Sequence, residues 1–301
     1  MNEKSYCPAC HETQKQLRGE KGDFKVYVCQ KCGTLYIAGK KAATSFNYDD
    51  YYDEGNLAIP DFVERRLTEI VRSFEKYRQN NRFLDVGCGA GTLLKAALNE
   101  GWQAEGIEVS RSSVEFLRKQ GMKVFHGDLS AAQFSEGSFD VAAAAEILEH
   151  IPEPINVLKE IYQVLRPGGL LWATTPHGKG ASARLLGVRW TCVAPPEHLH
   201  LFSVKGIKNL LEEAKFRNVR ISTQGLNPFE IIHTLRNGKV LQAENKEINK
   251  MDERAFNRYE TSYELNASLS ASALRRAVKN LLNRMLDTSR LGDSLKIWAE
   301  K

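Results

Sequence analysis

Apolar runs of strand length alternate with amphipathic helical stretches through the middle of this chain. The run from Phe83 to Val86 carries one acid, Asp85, and is followed by three glycines and a helical pattern that starts at Thr92. Strands that alternate with helices predict an α/β fold, in which helices cover both faces of a parallel sheet. Further strands are predicted at residues 104–109, 122–129, 138–145, 170–176 and 218–223, and helices at 61–79, 92–100, 114–120 and 154–165.

The glycines at Gly87, Gly89 and Gly91 lie between the first strand and its helix. Glycine permits positive φ and a close ligand, and a helix N-terminus offers free N–H groups to an anion. A dinucleotide-binding loop reads G-x-G-x-x-G/A, which would place its third small residue at Thr92. The loop here reads G-x-G-x-G and resembles motif I of class I S-adenosylmethionine (SAM)-dependent methyltransferases. A nicotinamide or flavin site and a turn without a ligand remain the alternatives.

Features further along the chain resemble the same family in order and spacing. Glu108 ends the second strand, twenty-one residues after Gly87, where an acid can accept hydrogen bonds from two ribose hydroxyls. The alternative is that Glu108 caps the helix that begins after Ser110. In the family, an Asp at the position of Asp128 meets the adenine amino group, and the next residue packs on the ring; an aspartate that only stabilises a turn is the alternative. Residues 165–169 read L-x-P-G-G before the fifth strand. The resemblance implies a Rossmann-like seven-stranded methyltransferase sheet and cofactor contacts at Asp85, Gly87, Cys88, Gly89, Gly91, Glu108, Asp128, Leu129 and Glu146.

The resemblance also implies a seventh strand that returns antiparallel between the fifth and the sixth. Residues 294–300 alternate with period two and place Leu295, Ile297 and Ala299 on one face, so we expect this strand there. Residues 230–290 are then predicted to be a helical insertion that caps the acceptor. The apolar positions from Leu274 to Met285, with basic residues between them, indicate either a face packed on the domain or a contact with an anionic acceptor or a membrane surface.

Two C-x-x-C pairs, Cys7 with Cys10 and Cys29 with Cys32, lie near the N-terminus with eighteen residues between them. Each pair can offer two thiolates to one metal ion, and this spacing is typical of a four-cysteine structural zinc site. Residues 1–45 are therefore predicted to form a zinc ribbon, and residues 46–301 the methyltransferase domain. Haem attachment at the first pair and a redox dithiol are the competing interpretations.

Two short segments offer candidates for the chemistry. Glu146, Glu149 and His150 form E-x-x-E-H, whose charged residues would share one face of a helix. A similar string in ubiquinone-biosynthesis O-methyltransferases has been linked to a divalent cation, so the resemblance implies a Mg²⁺ site here; the alternative is that these side chains bond the helix end. His198 and His200 would share one face of an extended run. We assign His198 and His150 as candidate catalytic residues, with packing histidines as the alternative.

A connector at residues 41–60 carries Tyr51 and Tyr52. These rings either pack on the domain surface or lie over the cofactor, as tyrosine-rich lead-ins do in many relatives of the methyltransferase group.

Composition narrows the choice of partner. The chain has 42 basic and 37 acidic residues, and a net charge of +5 does not require nucleic acid. No 18-residue apolar stretch predicts a membrane span, and six cysteines without a secretory leader indicate a reduced, cytoplasmic protein. The predicted function is methyl transfer from SAM to a small-molecule acceptor, at a hydroxyl or carbon of a sugar, glycan precursor or quinone-like compound. The alternatives are an rRNA methyltransferase with a zinc-knuckle module and a non-catalytic SAM-binding scaffold.

Overall fold

The computed structural model describes residues 6–38, 49, 61–237 and 273–301 of the chain. The predictions for Tyr51 and Tyr52 lie outside these residues, as does much of the predicted insertion. The strands are β1 (Lys15–Lys21), β2 (Phe24–Cys29), β3 (Leu35–Ala38), β4 (Arg82–Val86), β5 (Gln103–Glu108), β6 (Val124–His126), β7 (Phe139–Ala145), β8 (Leu165–Pro176), β9 (His200–Leu201), β10 (Arg217–Gln224) and β11 (Ser294–Glu300). The helices are α1 (Asp61–Arg72), α2 (Thr92–Asn99), α3 (Arg111–Lys119), α4 (Pro154–Val164), α5 (Ala181–Leu186), α6 (Val204–Glu213), α7 (Pro228–Asn237) and α8 (Ala273–Ser289).

Seven of these strands form one sheet in the order β10-β11-β8-β7-β4-β5-β6. The neighbours from β8 to β6 are parallel, whereas β11 is antiparallel to both β8 and β10. The predicted last strand is therefore confirmed in position and direction. Its period-two pattern is confirmed as well, because Leu295, Ile297 and Ala299 are fully buried and alternate with partly exposed residues.

Helices cover both faces of this sheet, as the alternation of elements predicts. One core joins β4, β7 and β8 to the buried residues of α4 and α6, and the other joins the same strands to α2 and α3. The helix predicted over residues 61–79 is shorter than expected. It ends at Arg72, and a short 3₁₀ turn at Glu75–Tyr77 follows.

A second, four-stranded sheet has the order β1-β2-β3-β9. Its first three strands come from the N-terminal segment, and β9 comes from the segment that follows the large sheet's β8. Leu35 pairs with Leu201, and Tyr36 pairs with His200. The N-terminal segment therefore shares a sheet with residues that the sequence places in the methyltransferase domain.

Polar side chains of α8 bond the sheet, which differs from the expectation that its apolar positions pack on the domain. Asn283 Oδ1 accepts a hydrogen bond from the Gly225 N–H at 3.2 Å, and Asp287 Oδ1 accepts one from Thr223 N–H at 2.8 Å. The apolar side chains on the other side of α8 are exposed, at Val278, Leu281, Leu282 and Met285. None of the described helices combines the length and apolar character that crossing a bilayer requires.

Candidate functional site

The glycine loop lies at the carboxyl edge of the parallel strands, directly after β4. Gly87, Gly89 and Gly91 have φ of +66°, +51° and +73°, in the left-handed region that favours glycine. A Cβ at Gly87 would collide with Ile147, and one at Gly91 would collide with Leu117. The loop therefore needs glycine both for its backbone angles and for the closeness of its neighbours.

Glu108 ends β5 and connects that strand to the glycine loop. Its Oε2 accepts a hydrogen bond from the Gly89 N–H at 2.8 Å, and its Oε1 accepts from the N–H groups of Val109 and Ser110 at 2.8 and 2.9 Å. The carboxylate is buried, and these backbone donors orient it at the strand end. Its position, next to the loop and at the carboxyl edge, fits the ribose contact that the sequence resemblance implies.

Asp85 and Cys88 lie beneath the loop. Both side chains are buried, and burial raises the pKa of Asp85 to about 7. Burial also raises the pKa of the Cys88 thiol, whose sulfur packs against β5 beside Gly106. These two residues are thus placed to shape the loop from below.

Asp128 follows β6 at the same edge of the sheet. Its Oδ1 accepts hydrogen bonds from Ser130 Oγ at 2.9 Å and from the Ala131 N–H at 2.8 Å. The bond to Ala131 lowers the pKa of Asp128, so the side chain is a carboxylate at neutral pH. Asp128 is exposed, whereas the neighbouring Leu129 is buried. A charged acceptor therefore faces solvent where the resemblance implies the adenine amino group.

One contact near Glu108 gave no signal in the sequence. Asp49 Oδ1 accepts hydrogen bonds from the Arg111 N–H at 2.6 Å and from Ser110 Oγ at 3.0 Å. Asp49 therefore caps the N-terminus of α3, directly after the strand end that carries Glu108. Asp49 is one of several acidic residues in this connector, and no pattern in the sequence distinguishes it from Asp50 or Asp53.

The segment from Glu146 to His150 is a turn, so the predicted helical spacing of E-x-x-E-H is wrong. Glu146 has a φ of +55°, and its N–H donates to Thr174 O at 2.9 Å, which keeps the chain beside β8. Residues 148–150 form a turn, and α4 starts only at Pro154. Glu146 itself is exposed.

The turn nevertheless brings Glu149 and His150 together with a distant histidine. One ligand atom each from Glu149, His150 and His198 lie within 4.8 Å of one another. The rings of His150 and His198 are edge to face at 4.7 Å between centroids. His198 thus takes the third position that the sequence analysis gives to Glu146, which lies outside this group. We call these three residues the Glu149 cluster.

The carboxyl group of Glu149 lies in an unusual electrostatic environment. Glu149 is fully buried, and its Oε2 accepts a hydrogen bond from Thr175 Oγ1 at 2.9 Å. Among the described residues, its Oε1 has no hydrogen-bond partner and lies 3.9 Å from Nε2 of His150. Burial raises the pKa of Glu149 well above its ordinary range, and the charge of Glu146 raises it further. Burial also lowers the pKa of His150. A proton or a cation at the cluster would offset the burial of this acid.

Backbone carbonyls orient both imidazole rings of the cluster. His150 Nδ1 lies 3.0 Å from Glu197 O, and His198 Nδ1 lies 2.7 Å from Cys192 O. A carbonyl only accepts hydrogen bonds, so each Nδ1 carries the proton and each Nε2 is the basic nitrogen. His200, in contrast, bonds Ile151 O through Nε2, at 3.1 Å. Sequence reasoning missed Thr175, because it looks like any residue of the apolar strand that contains it.

The four N-terminal cysteines meet as the C-x-x-C spacing predicts. The sulfurs of Cys7 and Cys32 lie 3.6 Å apart, those of Cys10 and Cys29 lie 3.5 Å apart, and all four lie within 4.8 Å of one another. Tetrahedral zinc with bonds of about 2.3 Å requires sulfur separations of about 3.8 Å. The hydrogen bond between Cys7 and Cys32 raises the pKa of Cys7 and lowers that of Cys32 to about 5. The separations between these sulfurs therefore fit a structural zinc ion. We call the four cysteines the thiol cluster.

Comparison with known proteins agrees with the geometry at the carboxyl edge of the large sheet, where the glycine loop lies. A family model described as a methyltransferase domain matches residues 59–221, more than half of the chain. The chain belongs to this methyltransferase family. Ubiquinone biosynthesis O-methyltransferase of Ralstonia nicotianae is 34% identical over 114 residues, which cover 36% of this chain and 48% of that protein. The protein of the same name from Aromatoleum aromaticum is 28% identical over 52% of this methyltransferase chain and 72% of its own.

The match to curated proteins is partial, and the likeness to solved structures is one of fold. The chain spans about half the length of the curated relatives that it matches first. A SAM-dependent methyltransferase from Archaeoglobus fulgidus has a TM-score of 0.54 at 17% identity, covering 84% of this chain and all of its own. Phosphoethanolamine N-methyltransferase 2 of Haemonchus contortus, solved with SAM, has a TM-score of 0.52 at 16% identity, covering 96% of this chain and 71% of its own. Both show a class I methyltransferase fold.

Proposed function

We propose that the protein transfers a methyl group from SAM to a hydroxyl group of a small molecule. The observation that carries the proposal is the position of the Glu149 cluster beside the glycine loop. Ile147, two residues before Glu149, packs against Gly87. Proton-accepting groups thus lie next to the loop that holds the methionine half of SAM in related enzymes.

Different residues of the chain bind different parts of the cofactor. The glycine loop and Glu108 hold the cofactor, and Asp128 with Leu129 receives its adenine. Bound SAM supplies a methyl group on a positively charged sulfonium, which is already activated for in-line displacement. The protein therefore mainly has to align the acceptor oxygen with that methyl group and exclude water.

The Glu149 cluster supplies the base for a hydroxyl acceptor. The His150 side chain is 15% exposed, whereas that of Glu149 is fully buried, so His150 is the member that an acceptor reaches. The hydroxyl proton passes to Nε2 of His150 as the acceptor oxygen bonds the methyl carbon. Glu149 Oε1 lies 3.9 Å from Nε2 of His150, and the His198 ring packs edge to face on the His150 ring, so both neighbours help to hold the imidazole in place. Relatives named ubiquinone biosynthesis O-methyltransferase support a hydroxyl acceptor on a quinone-like compound.

The same cluster can instead hold a divalent cation, which would replace His150 as the group that activates the hydroxyl, because a nitrogen bound to a metal cannot accept a proton. Two imidazole nitrogens and the unpartnered Oε1 of Glu149 are the donors. Imidazole favours manganese, iron or zinc over magnesium, which prefers oxygen ligands. A cation held there would polarise the acceptor hydroxyl and stabilise the Glu149 carboxylate. We also propose a structural zinc ion at the thiol cluster. We propose the cytoplasm as the compartment, because none of the six cysteines forms a disulfide.

Isotope-labelled SAM tests the proposed reaction on three kinds of acceptor: catechols, nucleotide sugars and total RNA. We expect label in a hydroxyl compound and none in RNA. His150→Gln should lower kcat by about 10²–10⁴, as loss of a general base does, and leave the affinity for S-adenosylhomocysteine unchanged. Label in RNA alone, or a full rate in the His150 variant, would contradict the proposal.

A further inference from the structure

The segment from residue 187 to residue 203, which we call the bridging segment, lies between the thiol cluster and the Glu149 cluster. On one side it carries β9, which extends the sheet of the N-terminal segment, and the Ile37 N–H donates to Leu199 O at 3.0 Å. On the other side, the N–H groups of Leu199 and His200 donate to Glu149 O at 2.8 and 3.2 Å. One short stretch of backbone is thus bonded to both the thiol-bearing module and the turn of the Glu149 cluster.

A side-chain hydrogen bond joins this segment to the backbone of one cysteine of the thiol cluster. Ser203 Oγ donates to the backbone oxygen of Cys32 at 2.6 Å, and both groups are buried. The same Oγ accepts from the Gly206 N–H at 2.9 Å, so it also caps α6. Cys32 is therefore bonded directly to the residue that ends the bridging segment.

A shared apolar core forms the second connection. Trp190 is 2% exposed and packs in one cluster with Val26, Leu35 and Ile37 of the N-terminal module. The Lys21 ammonium donates to Trp190 O at 3.2 Å. Because protein cores are close-packed, the position of the module determines the position of Trp190 and of the chain that leads to His198.

We propose that the four-cysteine module is a positioning element of the acceptor site, which holds His198 in place through the bridging segment. Metal at the thiol cluster fixes β3, β3 holds β9, and His198 comes two residues before β9. A module this small has little core of its own, so a metal at the thiol cluster would add to the shared core in holding its shape. This inference rests on the proposed function for the role of His198, but not for the mechanical coupling.

Fluorine NMR on protein labelled with 5-fluorotryptophan measures the coupling without using activity. The chain has four tryptophans, and loss of one signal in Trp190→Phe assigns that residue. Cys10→Ser, checked for zinc loss by elemental analysis, should shift or broaden the Trp190 signal. The signals of Trp102 and Trp172 should stay in place, because these rings lie in the other core. An unmoved Trp190 signal in metal-free protein would overturn the inference.

A matched pair of lysine variants covers the case in which Cys10→Ser fails to fold. Lys21→Met removes the bond to Trp190 O and keeps every thiol, whereas Lys25→Met makes the same change at an exposed position of the same hairpin. Lys21→Met should shift the Trp190 signal and lower kcat about tenfold, while S-adenosylhomocysteine binds within about twofold of wild type. Lys25→Met should change neither. The same Trp190 signal in the two variants would refute the coupling. If none of the acceptors is methylated, the proposed function is refuted, but the NMR result still tests the coupling.

Discussion

Asp85 shows how burial gives an ordinary carboxyl group an unusual pH response. The side chain lies beneath the glycine loop, and burial raises its pKa from 3.8 to about 7. An acid whose pKa is higher in the folded chain stabilises the fold when it is protonated. That contribution is complete below about pH 4 and is lost as the pH rises through about 7.

Asp85→Asn should remove this pH dependence, because asparagine has no proton to lose. Relative to the variant, the free energy of unfolding of the wild-type protein should fall by on the order of 3 kcal/mol between pH 4 and pH 7. Urea unfolding of the SAM-free protein across that range measures the difference. Parallel curves for the two proteins would show that Asp85 does not titrate there.

Elements that follow from local periodicity are the ones that sequence reasoning places well. The pattern of β11 predicted its buried face, and the family resemblance predicted its position between β8 and β10. The turn at Glu146–His150 was missed because its E-x-x-E-H spacing is equally compatible with a helix. Its course depends on the positive φ of Glu146 and on its bond to Thr174, neither of which appears in the local sequence.

A matched pair of leucine variants tests the burial of β11. Leu295 is fully buried inside the large sheet, whereas Leu17 on β1 is 50% exposed. Leu295→Ala should lower the free energy of unfolding by about 2–5 kcal/mol, the usual range for a buried leucine. Leu17→Ala should change it by no more than about 0.5 kcal/mol. Similar effects in thermal or urea unfolding would mean that β11 is not a core strand.

At the scale of the whole molecule, the pairing of β3 with β9 joins parts that the sequence separates. The C-x-x-C spacing predicted the thiol cluster, but nothing in residues 35–38 indicates a partner more than 160 positions away. His198 reaches Glu149 for the same reason, since long-range packing brings two distant segments together. Sequence reasoning therefore locates the cofactor edge through its motifs, whereas the acceptor side depends on the three-dimensional fold.

Calorimetric binding of S-adenosylhomocysteine tests the central claim that the glycine loop is the cofactor site. Gly89→Arg fills the loop. Gly22→Arg puts the same side chain at another positive-φ glycine, in a hairpin turn where no atom of another described residue beyond its chain neighbours lies within 4 Å of an added Cβ. We expect binding by the wild-type protein and by Gly22→Arg, and none by Gly89→Arg. Glu108→Ala should weaken binding by roughly 1.5–3 kcal/mol, as expected for a lost charged acceptor. Undiminished binding by Gly89→Arg would contradict the account.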